Sequence, residues 1–166
     1  MELKIAKADH LQRIMELIND AKAYLKSCGV DQWQNGYPDQ HSIENDIRKG
    51  TGYLCIADEK IVGYVCIDFE GEPAYETLCG KWLSTQPYVV VHRLALDRHS
   101  RGKGLASQVF ALAEALAQKR NIHSFKVDTD NDNEIMKHLI EKNGFQYCGT
   151  ICFDNSEKIA FEKLLL

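Results

Sequence analysis

The sequence predicts an α/β protein in which helices pack on a sheet, within a single domain that spans residues 1–166. The 166 residues are 45% hydrophobic and 27% charged, which is the length and composition of one folded domain. β-prone segments and amphipathic segments of helical period follow one another in the order β α α β β β α β α β β. This order is typical of helices layered on a sheet, and neither repeats nor Pro- and Gly-rich linkers divide it.

The N-terminal segment is predicted to form a short strand and then an amphipathic helix. Residues 3–6 form the strand. Asp9, with Gln12 three residues later, resembles an N-capping pair at the start of the helix. Apolar residues then recur at helical spacing until Gly29, namely Leu11, Ile14, Met15, Ile18 and Leu25. This stripe is expected to face a core.

A second, shorter helix is predicted to start after Ser42 and to stop before Gly50, a residue type that commonly ends helices. Residues 30–40, between the two helices, are predicted to form a loop that carries the aromatic residues Trp33 and Tyr37.

The middle of the chain is predicted to form three strands. Residues 53–57 and 61–69 flank the polar turn at 58–60 and so indicate a β-hairpin. Residues 71–87 are expected to be irregular. Residues 88–96 begin with a continuous apolar run, which favours a central strand over an edge that faces water.

The C-terminal half continues with alternating helices and strands. A helix is predicted from residue 105 until Arg120, followed by a strand at 125–129. A further helix is predicted from Asn133 to Asn143, stopped by Gly144. The chain is expected to close with a hairpin of residues 145–153 and 159–164 around Asp154, Asn155 and Ser156.

The charge, the apolar runs and the cysteines of the sequence disfavour three classes of function: nucleic-acid binding, membrane association and metal binding. The formal net charge of −4 disfavours nucleic acid as a partner. The chain lacks both an apolar run of ~20 residues and a secretion signal at its start, so we expect a soluble cytoplasmic protein without a membrane partner. The cysteines form no C-x-x-C pair, which argues against a metal site; they are Cys28, Cys55, Cys66, Cys79, Cys148 and Cys152.

The strongest local signal lies between the predicted central strand and the long helix. Residues 97–104 read Asp-Arg-His-Ser-Arg-Gly-Lys-Gly, a locally basic loop in an acidic chain. Glycines let the backbone approach a ligand, and the following helix offers unpaired N–H groups with the positive end of its dipole. The loop is therefore predicted to bind an anion such as a pyrophosphate. A solvated basic turn is the alternative.

Two other phosphate-binding patterns compete for the loop at 97–104. The P-loop pattern is absent. Gly102, Gly104 and Ser107 nearly meet the dinucleotide-binding pattern, with Asp128 or Asp130 farther along the chain than the usual acidic residue. The dinucleotide-binding fold needs further βαβ units after this pattern. Here only one more helix follows before the terminal β-hairpin. A dinucleotide-binding enzyme is therefore a disfavoured alternative.

Two motifs resemble a known family. The run Arg101-Gly102-Lys103-Gly104-Leu105-Ala106 resembles the R/Q-x-x-G-x-G/A signature of the GNAT superfamily of acyl-CoA-dependent N-acetyltransferases. The segment from Asn133 to Gly144-Phe145 resembles the family's later helix and the turn that follows it. The resemblance implies a mixed, mainly antiparallel central sheet flanked by helices on both faces. It also implies transfer of an acetyl group from acetyl-CoA to a primary amine by direct attack, without a metal.

The resemblance also implies roles for individual residues. The CoA pyrophosphate would be bound by main-chain N–H groups of Arg101, Gly102, Lys103, Gly104, Leu105 and Ala106. The main chain of Leu94, Ala95 and Leu96 would pair with the pantetheine arm, because an extended amide-bearing arm hydrogen-bonds like an added strand. Asn133 would contact the pantetheine or the cofactor backbone.

The sequence departs from the family at the acid that protonates the leaving thiolate. The family's tyrosine would fall at position 140, where this chain has Ile140. Three explanations stay open: the thiolate leaves unaided or through water, His138 or Tyr147 acts as the acid, or the domain is a non-catalytic acyl-CoA-binding module.

His92, a few residues before the loop, is the first candidate for the general base, because an ordinary histidine of pKa ~6.5 is largely neutral at pH 7. A packed structural histidine is the alternative reading. A water chain that ends at Asp31, Glu70 or Glu76 is equally compatible with the sequence.

The resemblance places the acceptor between the first helices and the sheet, so Trp33, Tyr37 and Trp82 are candidates for its walls. Aromatic rings near carboxylates suit a cationic amine, either a small molecule or a peptide. Trp33 and Tyr37 could instead fill the core below a long connection. A homodimer is a family-level expectation.

Overall fold

The computed structural model describes residues 1–153 and 156–166. Its strands are β1 (Glu2–Ile5), β2 (Gly52–Ala57), β3 (Lys60–Asp68), β4 (Cys79–Gly80), β5 (Val89–Leu96), β6 (Ser124–Asp130), β7 (Gln146–Phe153) and β8 (Ser156–Leu164). Its α-helices are α1 (Leu11–Ser27), α2 (Gln40–Lys49), α3 (Leu105–Lys119) and α4 (Glu134–Lys142). Within these described ranges, the helices are too short or too polar to cross a membrane.

The strands form one mixed sheet in the order β1-β2-β3-β5-β6-β8-β7-β4. The pairs β1–β2, β2–β3, β4–β7, β6–β8 and β7–β8 are antiparallel. The pair β5–β6 is parallel, with Val89 opposite Phe125 and Val90 opposite Lys126. The prediction of a mixed, mainly antiparallel sheet with residues 88–96 as a central strand is therefore confirmed.

The chain divides into two compact units, Met1–Ile67 with His92–Leu112 and Asp68–Val91 with Ala113–Leu166. In the first unit, the apolar face of α1 packs into a core with residues of α2, β2, β3 and β5, among them Ile14, Leu17, Ile18, Ile43, Leu54, Tyr64 and Ala95. In the second unit, Tyr75, Val90 and Ile151 form a buried cluster. The single domain over residues 1–166 stays a prediction.

Both N-terminal helix starts differ from those predicted. Residues 8–10 form a 3-10 turn before α1, in which the His10 ring accepts the Lys7 N–H at 3.0 Å, so the Asp9–Gln12 capping pair was wrong. Helix α2 begins at Gln40 rather than after Ser42, because the Asp39 carboxylate caps it and accepts the Ser42 N–H at 2.9 Å.

The predicted hairpin of β2 and β3 is confirmed. Its turn consists of Asp58 and Glu59, with φ of 49° and 60°, and the left-handed backbone at both residues matches a two-residue hairpin turn. The segment 71–87 is less irregular than predicted, since it contains a 3-10 turn at Pro73–Thr77 and the two-residue strand β4. Two residues are too few for a recognisable strand pattern.

The last elements follow the prediction closely. Asn133 caps α4 and Asn143 ends it, and β7 pairs with β8 as a hairpin. Ser156 lies in β8 rather than in the turn. Asp154 and Asn155 lie outside the described residues.

Candidate active site

The basic loop at 97–104 is fixed at its start by Asp97. The Asp97 N–H donates to the Val62 carbonyl of β3 at 2.7 Å, and its carboxylate accepts the His99 N–H at 2.9 Å. Arg13 of α1 donates to the same carboxylate at 2.7 Å. This hydrogen bond is the main cause of the lowered pKa of Asp97, which therefore stays ionised. The loop thus starts from a defined position on the first unit.

Gly102 and Gly104 give the loop an open, left-handed backbone. Their φ angles are 74° and 72°, a conformation that side chains rarely adopt, and a Cβ on either residue would meet nothing within 4 Å. The Gly104 carbonyl accepts the Gln108 N–H at 3.3 Å, so helical hydrogen bonding begins directly after the loop. Because the first N–H groups of a helix lack intrahelical partners, this end favours an anion. The open loop is therefore the candidate anion site of the first unit.

Arg101 is held against α1. Its guanidinium lies 4.3 Å from the centre of the Tyr24 ring, a cation–π contact. Its Nη2 is buried and has no hydrogen-bond partner among the residues that the structure describes. Lys103, by contrast, is exposed. The Arg101 side chain is thus held against α1, and the open part of the loop is formed by the glycine backbone.

The strand before the loop carries a backbone irregularity. Arg93 has φ of 53° within β5, between His92 and Leu94. Such a conformation costs a non-glycine residue roughly 1–3 kcal/mol. His92 is half-buried and Ala95 is buried. At the end of the strand, a Cβ on Gly63 would lie 2.9 Å from the Ala95 carbonyl and would overlap the Leu96 side chain, so β3 approaches β5 closely.

A buried polar network surrounds Arg93. Its Nε lies 2.8 Å from Asp46 Oδ2, its Nη2 lies 2.5 Å from Asp46 Oδ1, and its Nη1 donates to the Tyr37 hydroxyl at 2.6 Å. The Tyr64 hydroxyl donates to Asp46 Oδ2 at 2.7 Å. Asp46 is only 2% exposed.

The pKa shifts of three groups in this network favour a charged guanidinium beside two neutral tyrosines. Burial opposes the charge on Arg93, but its interactions with Tyr37 and Asp46 outweigh burial and raise its pKa. Burial raises the pKa of Tyr64, and the neighbouring Asp46 carboxylate adds to this effect. Burial also raises the pKa of Tyr37, against the influence of Arg93. This network was not predicted from the sequence, although an arginine inside an apolar strand is a visible signal.

The predicted acceptor residues of the first unit have definite contacts. Tyr37 accepts a hydrogen bond from Arg93 and its ring also lies 6.0 Å from the guanidinium carbon. Trp33 is half-buried against the core of the unit, with φ of 66°. Trp33 thus packs against the core, in agreement with the alternative that it fills the core below a long connection. Tyr37 links the loop at 30–40 to β5 through Arg93.

Trp82, the third predicted acceptor residue, belongs to an aromatic cluster of the second unit. Its Nε1 donates to the Tyr75 carbonyl at 3.1 Å, and the two rings are 5.2 Å apart. The Lys126 ammonium lies 4.2 Å from the Trp82 ring and 4.1 Å from the Tyr88 ring. Burial lowers the pKa of Lys126. This lysine was not among the residues predicted from the sequence.

The second unit also buries a carboxylate that the sequence analysis missed. Glu162 is fully buried in β8. It accepts hydrogen bonds from the Leu83 N–H at 2.6 Å, the Ser84 N–H at 3.3 Å and the Ser84 hydroxyl at 2.6 Å. The Ser124 hydroxyl also donates to it at 2.6 Å. Hydrogen bonds from neutral donors therefore stabilise the buried Glu162 carboxylate.

Helix α4 carries the second motif. Asn133 is 6% exposed, and its Oδ1 accepts the Met136 N–H at 3.1 Å as the helix cap. Ile140 is fully buried and packs as a core residue. His138 is exposed, as is Tyr147, whose ring makes an edge contact with Phe161 at 5.9 Å. Asn133 belongs to a different unit from the loop at 97–104.

The remaining predicted groups lie at the surface. Asp31, Glu70 and Glu76, the alternative ends of a water chain, are exposed. Across the part of the chain that the structure describes, no group of three or more His, Cys, Asp or Glu side chains is placed to hold a metal ion.

Comparisons with known proteins agree with these motifs. Residues 11–145 match the model of the acetyltransferase (GNAT) family. A comparison with curated proteins gave no match. A crystal structure of a GNAT-family acetyltransferase from Streptococcus agalactiae is 31% identical, covers 99% of this chain and 95% of that chain, and superposes with a TM-score of 0.90.

More distant structures share the fold. A GNAT-family acetyltransferase from Listeria monocytogenes is 23% identical over 99% of this chain and 94% of that chain, with a TM-score of 0.79. An aminoglycoside acetyltransferase in complex with coenzyme A is 18% identical over 98% of this chain and 93% of that chain, with a TM-score of 0.70. Together with the family match over most of its length, these similarities show that the chain belongs to the GNAT family of acetyltransferases.

Proposed function

We propose that this protein transfers the acetyl group of acetyl-CoA directly to a primary amine. The observation that carries the proposal is the open glycine loop directly before α3, at the position of the family motif. Main-chain N–H groups of residues 101–106 bind the diphosphate, and the main chain of residues 94–96 pairs with the pantetheine arm. Asn133, whose Oδ1 caps α4, is proposed to contact the pantetheine or the cofactor backbone.

The energetics of the reaction favour a base over an acid. At pH 7, removing the proton from an alkylammonium of pKa ~10.4 costs roughly 4.6 kcal/mol. Expelling a thiolate whose acid has pKa ~8.5 needs only about 2 kcal/mol of help. A core isoleucine at position 140 is therefore compatible with catalysis, with the thiolate leaving unaided or through water.

His92 is the proposed general base. It is half-buried in β5, beside the irregular backbone at Arg93 and before the loop at 97–104. A base that must be neutral produces an acidic limb in the pH–rate profile. We expect His92→Ala to flatten that limb in kcat/KM for the amine, and an unchanged profile would assign the base to a water chain instead.

The acceptor is proposed to be a small-molecule or peptide amine. Tyr37 and Trp33 are proposed acceptor contacts on the first unit, and Trp82 is a proposed acceptor contact on the second, with aromatic faces suited to a cationic group. A homodimer and a cytoplasmic location remain predictions.

The central experiment measures acetyl-CoA binding by calorimetry in two loop variants and in one control variant outside the loop. Gly104→Val should raise the Kd at least about tenfold, because a β-branched residue strains the left-handed backbone and fills the open side of the loop. Arg101→Ala should change the Kd less than about threefold, since its guanidinium packs on Tyr24. Gly50→Val is the matched control, because Gly50 has φ of 73° and an equally open Cβ position outside the loop.

Gly50→Val should lower the free energy of unfolding but leave the Kd for acetyl-CoA unchanged. Equal and small effects of Gly104→Val and Arg101→Ala would contradict the loop assignment. Stabilisation by NAD, with none by CoA, would instead support a dinucleotide-binding enzyme.

A non-catalytic acyl-CoA-binding module is the second candidate, favoured by the apolar residue at position 140. Thiol release from acetyl-CoA across a panel of amines separates the two functions. Amine-dependent release supports the transferase, whereas binding without turnover for every amine supports the module.

A further inference from the structure

The backbone of Arg93 adopts a left-handed conformation that is unfavourable for an arginine residue. A bulky non-glycine residue with φ of 53° inside a strand is uncommon. Such a conformation persists where the surrounding structure fixes it, and it often lies at functional sites. The strain falls between His92, the proposed base, and Leu94, where the proposed pantetheine-binding run begins.

The contacts of the Arg93 side chain supply the necessary constraint. Two of its nitrogens meet the two carboxylate oxygens of Asp46 at 2.8 and 2.5 Å, a bidentate arrangement that fixes the plane of the guanidinium. Asp46 is itself held by the Tyr64 hydroxyl of β3. The side-chain end of Arg93 is therefore anchored to both α2 and β3.

A third contact links the same guanidinium to the proposed acceptor loop. Nη1 of Arg93 donates to the Tyr37 hydroxyl at 2.6 Å. Tyr37 lies in the connection between α1 and α2, far from Arg93 in the sequence. The Arg93 side chain thus contacts both the loop at 30–40 and α2, while its backbone belongs to β5.

We propose that Arg93 is a positioning residue that holds the left-handed backbone of β5 for acetyl transfer and couples it to the acceptor loop through Tyr37. The inference rests on the proposed function and deepens it. Arg93 touches no reacting atom in this proposal. It acts by fixing the directions of His92 and of the main-chain groups on either side of itself, and a misplacement of about 1 Å costs an enzyme up to about a hundredfold in rate.

The test compares two double variants, Arg93→Ala with Asp46→Asn and Arg93→Gly with Asp46→Asn. Both remove the ion pair without leaving a buried charge. Alanine resists a positive φ, whereas glycine adopts it readily. The alanine variant should lose about tenfold to a hundredfold in kcat, with KM for acetyl-CoA changed less than about threefold. The glycine variant should recover at least about threefold of that kcat.

This recovery distinguishes positioning from general stability. Glycine at a positive φ also gains stability over alanine, so kcat is expressed per folded molecule, with the folded fraction taken from urea unfolding. A purely structural role then predicts equal kcat values for the alanine and glycine variants. Tyr37→Phe removes the link to the loop and should raise KM for the amine about threefold or more, while KM for acetyl-CoA changes less.

Glu114→Ala serves as the control. It removes the ion pair with Lys163 in the second unit but leaves the contacts of Arg93, so its kcat should equal that of the wild type. Equal kcat values for the alanine and glycine variants, or a wild-type kcat in the alanine variant, would overturn the inference alone. If the wild-type protein transfers acetyl to none of the amines, the proposed function fails, and the inference fails with it.

Discussion

The two compact units each bury a carboxylate, and they stabilise it in different ways. In the first unit, Asp46 faces a full positive charge on Arg93 and one hydroxyl, from Tyr64. In the second unit, Glu162 accepts two main-chain N–H groups and the hydroxyls of Ser84 and Ser124. One carboxylate is therefore neutralised by a partner charge, and the other is solvated by neutral donors.

The two carboxylates also differ in what they hold in place. The pair of Asp46 with Arg93 fixes a strained residue of the strand that leads to the proposed cofactor loop. Glu162 instead fastens residues 83 and 84 of the segment between β4 and β5 to β8. Lys126 lies opposite Glu162 in the register, yet its ammonium lies over two aromatic rings. We infer that losing one member of the charged pair costs more than losing the solvated carboxylate.

The largest expected effect on stability is that of Asp46→Ala. It leaves the buried guanidinium of Arg93 without its counter-ion, and breaking a buried pair in this way costs about 3–5 kcal/mol. Urea unfolding at pH 7 measures the free energy of unfolding. Asp46→Asn, which keeps an acceptor oxygen, is the matched control and should cost less. A loss below about 1 kcal/mol for Asp46→Ala would remove the ion pair from the explanation of the first unit.

Glu162→Ala should have the next largest effect, a loss of about 2–3 kcal/mol, because it leaves the Leu83 and Ser84 N–H groups without their acceptor. The serine hydroxyls can rotate toward other acceptors, which limits the cost. Glu162→Gln retains one acceptor oxygen and should lose less than the alanine variant in the same urea experiment. A greater loss for Glu162→Ala than for Asp46→Ala would reverse the comparison of the two units.

Local sequence signals predicted most of the fold. The hairpin of β2 and β3 followed from two β-prone runs around a short polar turn, and the central position of β5 followed from its continuous apolar start. The helix starts were less accurate, because several polar residues near each start are competent caps. Asp39 rather than Ser42 caps α2, and a choice between them depends on backbone geometry that a sequence does not state.

The candidate site was predictable to the extent that its parts are local. Gly102 and Gly104 stand out because the chemistry of the loop depends on backbone conformation within a few residues. The network of Arg93 was not predicted, since Tyr37, Asp46 and Tyr64 lie up to 56 positions away in the chain. Glu162 was missed for the same reason, because its donors come from residues 83, 84 and 124.

A crystal structure of the protein with coenzyme A bound tests the central claim most directly, because the proposed transfer depends on cofactor binding at the glycine loop. We expect the diphosphate to accept hydrogen bonds of about 3 Å from main-chain N–H groups of residues 101–106, with the open side of Gly104 turned toward the ligand. Coenzyme A bound elsewhere, with this loop empty or closed by its own side chains, would contradict the proposed function.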